Sequence, residues 1–179
     1  TRDPSSAASD VYKRQVIKQQ NPNKTSLEMK APEMGTIMKQ KFNGETGYME
    51  QMGQNIPFSE DQINSSKSKK GIFEELYYDS SQLQVVGYTT IGGNDLVKIK
   101  IDDKTIKYYD INSGLLERSE ETTLVEGNSI TTTRKFSDYT DVDGILYPFK
   151  TEIINGMQTI TIEFEEIKFN EPFTESDFK

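Results

Sequence analysis

Between Asn43 and Gly156 the chain is punctuated by turn-forming clusters: Asn43-Gly44, Gly92-Gly93-Asn94, Asp102-Asp103, Asn112-Ser113-Gly114, Gly127-Asn128, Asp143-Gly144 and Asn155-Gly156. Asn, Asp and Gly accept the positive φ that tight hairpin turns require. From Gly92 onward the clusters are about 10 to 15 residues apart, which leaves room for a strand and a turn but not for the crossover helix of a parallel sheet. The spacing therefore predicts an antiparallel meander and disfavours a doubly wound α/β fold.

Alternation within the segments supports strands. From Leu96 to Ile101, Val97, Ile99 and Ile101 share one face while Lys98 and Lys100 take the other, which predicts one buried and one wet face. Near the end, Ile160, Ile162 and Phe164 share a phase that Ile167 and Phe169 break across Glu165-Glu166, predicting a β-bulge near Glu165. Between Pro57 and Lys70 the alternation stops. Ser59 can cap and Asp61 sits in a first turn, so one short helix is expected, ending by Gly71, with Ile72 to Tyr78 continuing as helix or packed loop. A second helical turn is expected from Thr174, with Phe178 pinning the C-terminal segment.

Residues 1–15 (TRDPSSAASDVYKRQ) show neither periodicity. The run SSAASDVYKRQ resembles a translated sequencing adapter and is set aside as a non-native or disordered leader. That reading implies a coding sequence cut at its 5′ end, with any signal peptide lost. Residues 16–179 then read as a single β domain truncated at its N-terminus, a length suited to one core.

Composition narrows the chemistry. With no His and no Cys, the chain lacks the usual general base, the thiolate nucleophile, disulfides and the commonest zinc ligands. A net charge of -8 argues against nucleic acid, whose binding needs a basic face. No apolar run is long enough to span a bilayer as a helix. The carboxylate pairs Glu74-Glu75, Glu120-Glu121 and Glu165-Glu166 could in principle serve a glycosidase, but neighbours on a strand point to opposite faces, so they read as solvated surface. Asp138, Asp141 and Asp143 beside Gly144 invite a calcium reading, yet Pro148 and Phe149 lie where the closing glutamate of a calcium loop belongs; a hairpin turn accounts for them. Neither cofactor nor metal is expected, and the chain reads as non-enzymatic.

Of the six Met residues, Met29, Met34, Met38, Met49 and Met52 crowd into the first strands. Methionine suits either an irregular core or an adaptable apolar groove, and only an unfilled concave face would select the groove.

The segment YYDINSGLLERSEETT after Lys107, then FSDYTDVDGILYPFKTEI from Phe136 to Ile153 and the ending IKFNEPFTESDFK, resembles the lipoprotein-sorting-like domain of the LolA/LolB type. Such domains occur alone or at the C-terminus of insulinase-type zinc peptidase polypeptides in bacterial envelope proteins. The resemblance spans Lys24 to Lys179, with FNGETGYMEQMGQ from Phe42 fitting its early hairpin. It implies a mainly β (α+β) fold: a strongly curved antiparallel sheet, or unclosed β-barrel, with one or two short helices over the concave face. It further implies an apolar cavity that binds a lipid or lipoprotein acyl chain, which we place on Met29, Met38, Phe42, Tyr48, Val97 and Ile99. A periplasmic or outer-membrane-associated location follows from the same likeness. The alternative is an accessory or scaffold domain partnering a zinc peptidase; the peptidase motif itself, His-x-x-Glu-His, cannot exist in a chain without His.

Overall fold

The computed structural model describes residues 14–31, 34–125 and 128–179. Most of the leader, and Gly127 of the expected turn at Gly127-Asn128, lie outside the described residues.

Two antiparallel sheets account for the strands. The first contains β1 (Arg14–Gln20), β2 (Lys24–Ala31), β3 (Gly35–Phe42), β4 (Gly47–Gln51) and β5 (Gln54–Pro57), ordered as in the sequence. The second runs from β6 (Gln84–Ile91) through β7 (Asn94–Lys100), β8 (Thr105–Asp110), β9 (Leu116–Val125), β10 (Asn128–Val142) and β11 (Ile145–Asn155) to β12 (Gln158–Glu163), each strand again beside its sequence neighbour. The fold is thus mainly β and antiparallel, as the turn spacing predicts, and unclosed, as the resemblance implies, with its strands shared between two sheets. Two compact units follow: one runs through Tyr77 and is rejoined by Pro172–Lys179, and the other spans Tyr78–Glu171.

The turns show why the meander forms. Asp143 and Gly144 (φ 53° and 85°) close a two-residue hairpin between Val142 and Ile145, and Gly92 and Gly93 (φ 61° and 92°) do the same between Ile91 and Asn94. Positive φ at both central positions matches the right-handed twist of the flanking strands. Asp102 Oδ1 accepts hydrogen bonds from the amides of Lys104 and Thr105 at 2.7 Å each, holding the turn between β7 and β8. One turn escaped the sequence reading: Met52-Gly53 (φ 50° and 79°) joins β4 to β5 although methionine is an unusual left-handed residue.

The helix α1 (Glu60–Ser68) begins where Ser59 predicts it. Ser59 Oγ accepts from the Gln62 amide at 3.3 Å and the Gln62 side chain accepts from the Ser59 amide at 2.9 Å, a reciprocal capping box. Short 3-10 turns occupy Glu74–Tyr77 and Glu175–Asp177, and Phe178 is 1% exposed. In the first unit Phe42 is fully buried and stacks on Phe58, ring centroids 6.3 Å apart. Gly47 makes that stack possible: a Cβ there would lie 2.4 Å from the Phe58 ring and 2.7 Å from the Lys41 carbonyl oxygen.

The strand β1 takes in Arg14 and Gln15, paired with Lys30 and Met29. Two expectations need correction. The lysine face of β7 is not simply wet: Leu96, which shares it with Lys98 and Lys100, is fully buried, and Lys98 lies over the Tyr108 ring at 5.5 Å. No bulge forms at Glu165, because β12 ends at Glu163. The phase change between Phe164 and Phe169 is met by leaving the ladder, which lets both rings pack edge to face with Tyr147, ring centroids 6.3 and 5.8 Å apart.

Candidate ligand-binding face

Cross-strand partners in an antiparallel sheet share a face, so the register assigns every side chain of the first sheet to one side. Met29 pairs with Met38, Leu27 with Ile17 and Gln40, Met49 with Gln40 and Ile56, and Phe42 with Thr25 and Gly47. These residues and the glutamines between them form one face. Arg14, Lys18, Lys24, Glu28, Lys30, Lys39, Lys41 and Glu50, every charged residue of β1 to β5, fall on the other.

The uncharged face is only partly covered. Phe42 lies beneath Phe58, while Met29, Met38, Met49 and Leu27 are half-buried and Ile17 and Ile56 are exposed. The helix α1 stands over this side, where a cleft of about 320 Å³ opens between Gln40, Phe58 and the helix residues Asp61, Gln62, Ser65, Ser66 and Lys69. Its lining is mainly polar, so the apolar surface is the methionine face itself and not an enclosed cavity in this unit.

The structure separates the six residues named from the sequence. Met29, Met38 and Phe42 share the uncharged face. Tyr48 pairs with Lys41 and therefore points to the charged side, and Val97 and Ile99 belong to β7 in the other unit. Leu27, Met49, Ile17 and Ile56 complete the face but were not singled out; the register that gathers them depends on turn lengths that alternation alone does not reveal. Met34 and Met52, counted in the methionine cluster, sit outside strands and are exposed.

On the charged side, the C-terminal segment docks onto three adjacent strands. Lys18 of β1 meets Asp177 at 2.7 Å, Lys24 of β2 meets Glu175 at 2.6 Å, and Lys41 of β3 donates to the carbonyls of Ser176 (3.0 Å) and Lys179 (2.8 Å). The Lys18 ammonium, with the Thr174 amide and hydroxyl, holds the Asp177 carboxyl far below the ordinary carboxylate range. Beside this contact is a cleft of about 190 Å³ bordered by Val16, Lys39, Tyr48 and Asp177 among others.

In the second unit, Tyr108 is packed between Lys98 and Arg118, and its hydroxyl donates to Glu120 at 2.7 Å. Burial and the Glu120 carboxylate push the phenol up to about 12. Glu120 is lowered, with the Tyr108 hydroxyl and Arg118 outweighing its burial, whereas Glu121 turns to Arg134 on the opposite face. A general acid needs a carboxyl raised toward neutrality; Glu28, Asp79, Asp103, Asp110, Glu120, Glu175 and Asp177 are all lowered. Asp141 Oδ1 accepts from the Gly144 amide at 3.1 Å, the hairpin role expected of it, and among the described residues no cluster could hold a metal ion. No helix among them is long and apolar enough to cross a membrane.

No family model and no curated protein matches the chain. Its structure is similar to that of a LolA superfamily protein from Nitrosomonas europaea, with a TM-score of 0.64 and 12% identity over 93% of this chain and 81% of that one. It is also similar to a DUF1329 family protein from Desulfovibrio piger, with a TM-score of 0.60 and 10% identity over 93% and 80%. The chain therefore has a LolA-like fold.

Proposed function

We propose that this chain is a non-catalytic, carrier-type domain of the bacterial envelope, periplasmic or associated with the outer membrane, that binds a lipid or lipoprotein acyl chain on the methionine face of its first sheet. The observation that carries this reading is the complete segregation of charge in β1 to β5. A solvated sheet face ordinarily carries charged residues and a packed one aliphatic residues. Here one face carries neither pattern: it combines Met29, Met38 and Met49 with Leu27, Ile17 and uncharged glutamines. Methionine is flexible and polarisable, so it fits ligands of variable shape. The LolA-like fold supports the same reading.

Magnitudes suit a carrier. Each buried methylene contributes about 0.8 kcal/mol, so a dozen give roughly 10 kcal/mol before several are lost to association and ordering. With about 4 kcal/mol lost, the low end of that cost, about 6 kcal/mol remains, an affinity in the tens of micromolar that holds an acyl chain and still releases it.

The test is native mass spectrometry of the full chain after incubation with palmitate or a palmitoylated peptide. A one-to-one adduct weakened about tenfold or more by Met38→Glu, because a carboxylate must then be desolvated against the chain, supports the proposal. Failure of the wild-type chain to take up either ligand would overturn it.

A further inference from the structure

We propose that the cleft on the charged face of the first sheet binds a phosphoryl group, carried either by a free phosphate or by the headgroup of a phospholipid. The register lays one row of side chains across four strands: Lys18 of β1 faces Ser26 of β2, Ser26 faces Lys41 of β3, and Lys41 faces Tyr48 of β4. Cross-strand neighbours stand about 5 Å apart at Cβ, so the row is a continuous line of hydrogen-bond donors. Lys39 belongs to the next row, and the cleft of about 190 Å³ opens over all five residues.

What the cleft leaves unsatisfied are donors. Ser26 is 8% exposed, yet its hydroxyl meets no partner among the described residues and opens onto the cleft. A hydroxyl in so buried a position ordinarily has a partner. The Tyr48 hydroxyl and the Lys39 ammonium also lack a hydrogen bond among the described residues, since Lys39 has only Glu50 at 3.7 Å. Lys41 gives two of its three N–H groups to the carbonyls of Ser176 and Lys179, which leaves one. The acceptors are already engaged. Glu28 takes the Thr36 hydroxyl at 2.8 Å with Lys30 at 3.6 Å, and Asp177 takes Lys18 together with the Thr174 amide and hydroxyl. Lysines outnumber carboxylates three to two around the cleft, so the site is locally cationic in a chain of net charge -8.

Size and donor number select the ligand. Ser26, Lys39, Lys41 and Tyr48 supply donors from three strands, which suits a group with three strong acceptor oxygens better than the two of a carboxylate. The cleft has room for about six waters at roughly 30 Å³ each, enough for a phosphoryl group and too little for an acyl chain. Lysine binds phosphate as a point charge and needs no planar fork to do so. The methionine face lies on the other side of the same strands, so this inference does not depend on acyl binding.

The test is titration of the nitrogen-15-labelled full chain with inorganic phosphate at constant ionic strength, followed by amide chemical shifts. Saturable shifts are expected at Ser26, Lys39, Lys41 and Tyr48. Ser26→Ala should weaken binding about tenfold or more, the worth of one hydrogen bond to a charged group. Tyr48→Phe keeps the ring, should act in the same direction, and decides the matter if Ser26→Ala does not fold. Lys135→Gln, in the other unit, removes a cation outside the cleft and should leave the affinity unchanged. Dihexanoyl phosphatidic acid distinguishes the sources: tighter binding at the same amides, still weakened by Ser26→Ala, assigns a lipid headgroup, and no gain over inorganic phosphate assigns a free phosphate. Shifts that never saturate, phosphate binding unchanged in both hydroxyl variants, or an equal loss in Lys135→Gln would each overturn the proposal.

Discussion

Replacing Phe178 by alanine should cost the first unit more than removing any ion pair that fastens the same segment. The ring is 1% exposed and meets Phe173 edge to face at 5.5 Å. Truncating a fully buried phenylalanine costs about 3–5 kcal/mol, of which the aromatic pair accounts for about 0.5–1.5 kcal/mol. The charged contacts are weaker because water reaches them: the side chains of Lys18 and Glu175 are 39% and 62% exposed. Against a total stability of about 5–15 kcal/mol, the ring is a large share. With a urea slope of about 2 kcal/mol per M, the midpoint should fall by about 2 M, followed by far-UV circular dichroism since the chain lacks Trp. Hydrogen exchange should quicken in β1, β2 and β3, the strands whose lysines hold the segment. A midpoint loss worth less than about 1 kcal/mol, within the range of ordinary surface substitutions, would refute the view that burial of Phe178 anchors the segment.

Other perturbations follow from single features. Gly47→Ala would drive a methyl into the Phe58 ring and the Lys41 carbonyl, and thermal melting should show a loss of about 1–3 kcal/mol. Met52→Gly should raise the melting temperature, by relief of about 1 kcal/mol of left-handed strain, because Met52 has φ 50° and is 85% exposed, so little packing is lost. Asp177 and Glu175 titrate lower in the folded state because Lys18 and Lys24 pair with them, so their stabilisation is present above the ordinary carboxyl values and is lost as the pH falls below them; urea midpoints measured from pH 5 to pH 2 should fall less steeply in Asp177→Asn. Tyr108 titrates higher when folded, so its contribution is intact below pH 10 and disappears as the pH rises toward 12. Subtracting the ultraviolet titration of Tyr108→Phe from that of the native chain should leave one phenol with a midpoint near 12.

What could be read in the sequence was local. Asn, Asp and Gly clusters marked the hairpins because positive φ is a property of one or two residues, and Ser59 with Asp61 marked the start of α1 because capping is equally local. Met52-Gly53 was missed because Met carries no such preference. Face assignment was harder, since it combines alternation within a strand with the register to its neighbour. Met38 and Tyr48 look equivalent by parity, yet the turn at Asn43 to Thr46 pairs Met38 with Gln51 and Tyr48 with Lys41, which puts them on opposite sides. The Glu165 bulge failed on a tertiary contact: Tyr147 draws in both Phe164 and Phe169, and alternation in the last strand holds no record of that partner.

The two faces of the first sheet explain each other. A sheet that kept charges on both sides would have to desolvate some of them on contact with an apolar ligand, at a cost of several kcal/mol per ion. Confining them to one face removes that cost from the other, and the concentrated lysines then need acceptors. The C-terminal segment supplies them with Glu175, Asp177 and two backbone carbonyls, while Phe178 supplies the apolar burial that makes the docking firm. The docked side is therefore the charged one. Among the described residues of the first unit, the methionine side meets Phe58 and a polar helix having no buried residue, a covering that displacement would cost little. Charge on one face and adaptable apolar groups on the other are two consequences of a single alternation, set by the register of five short strands.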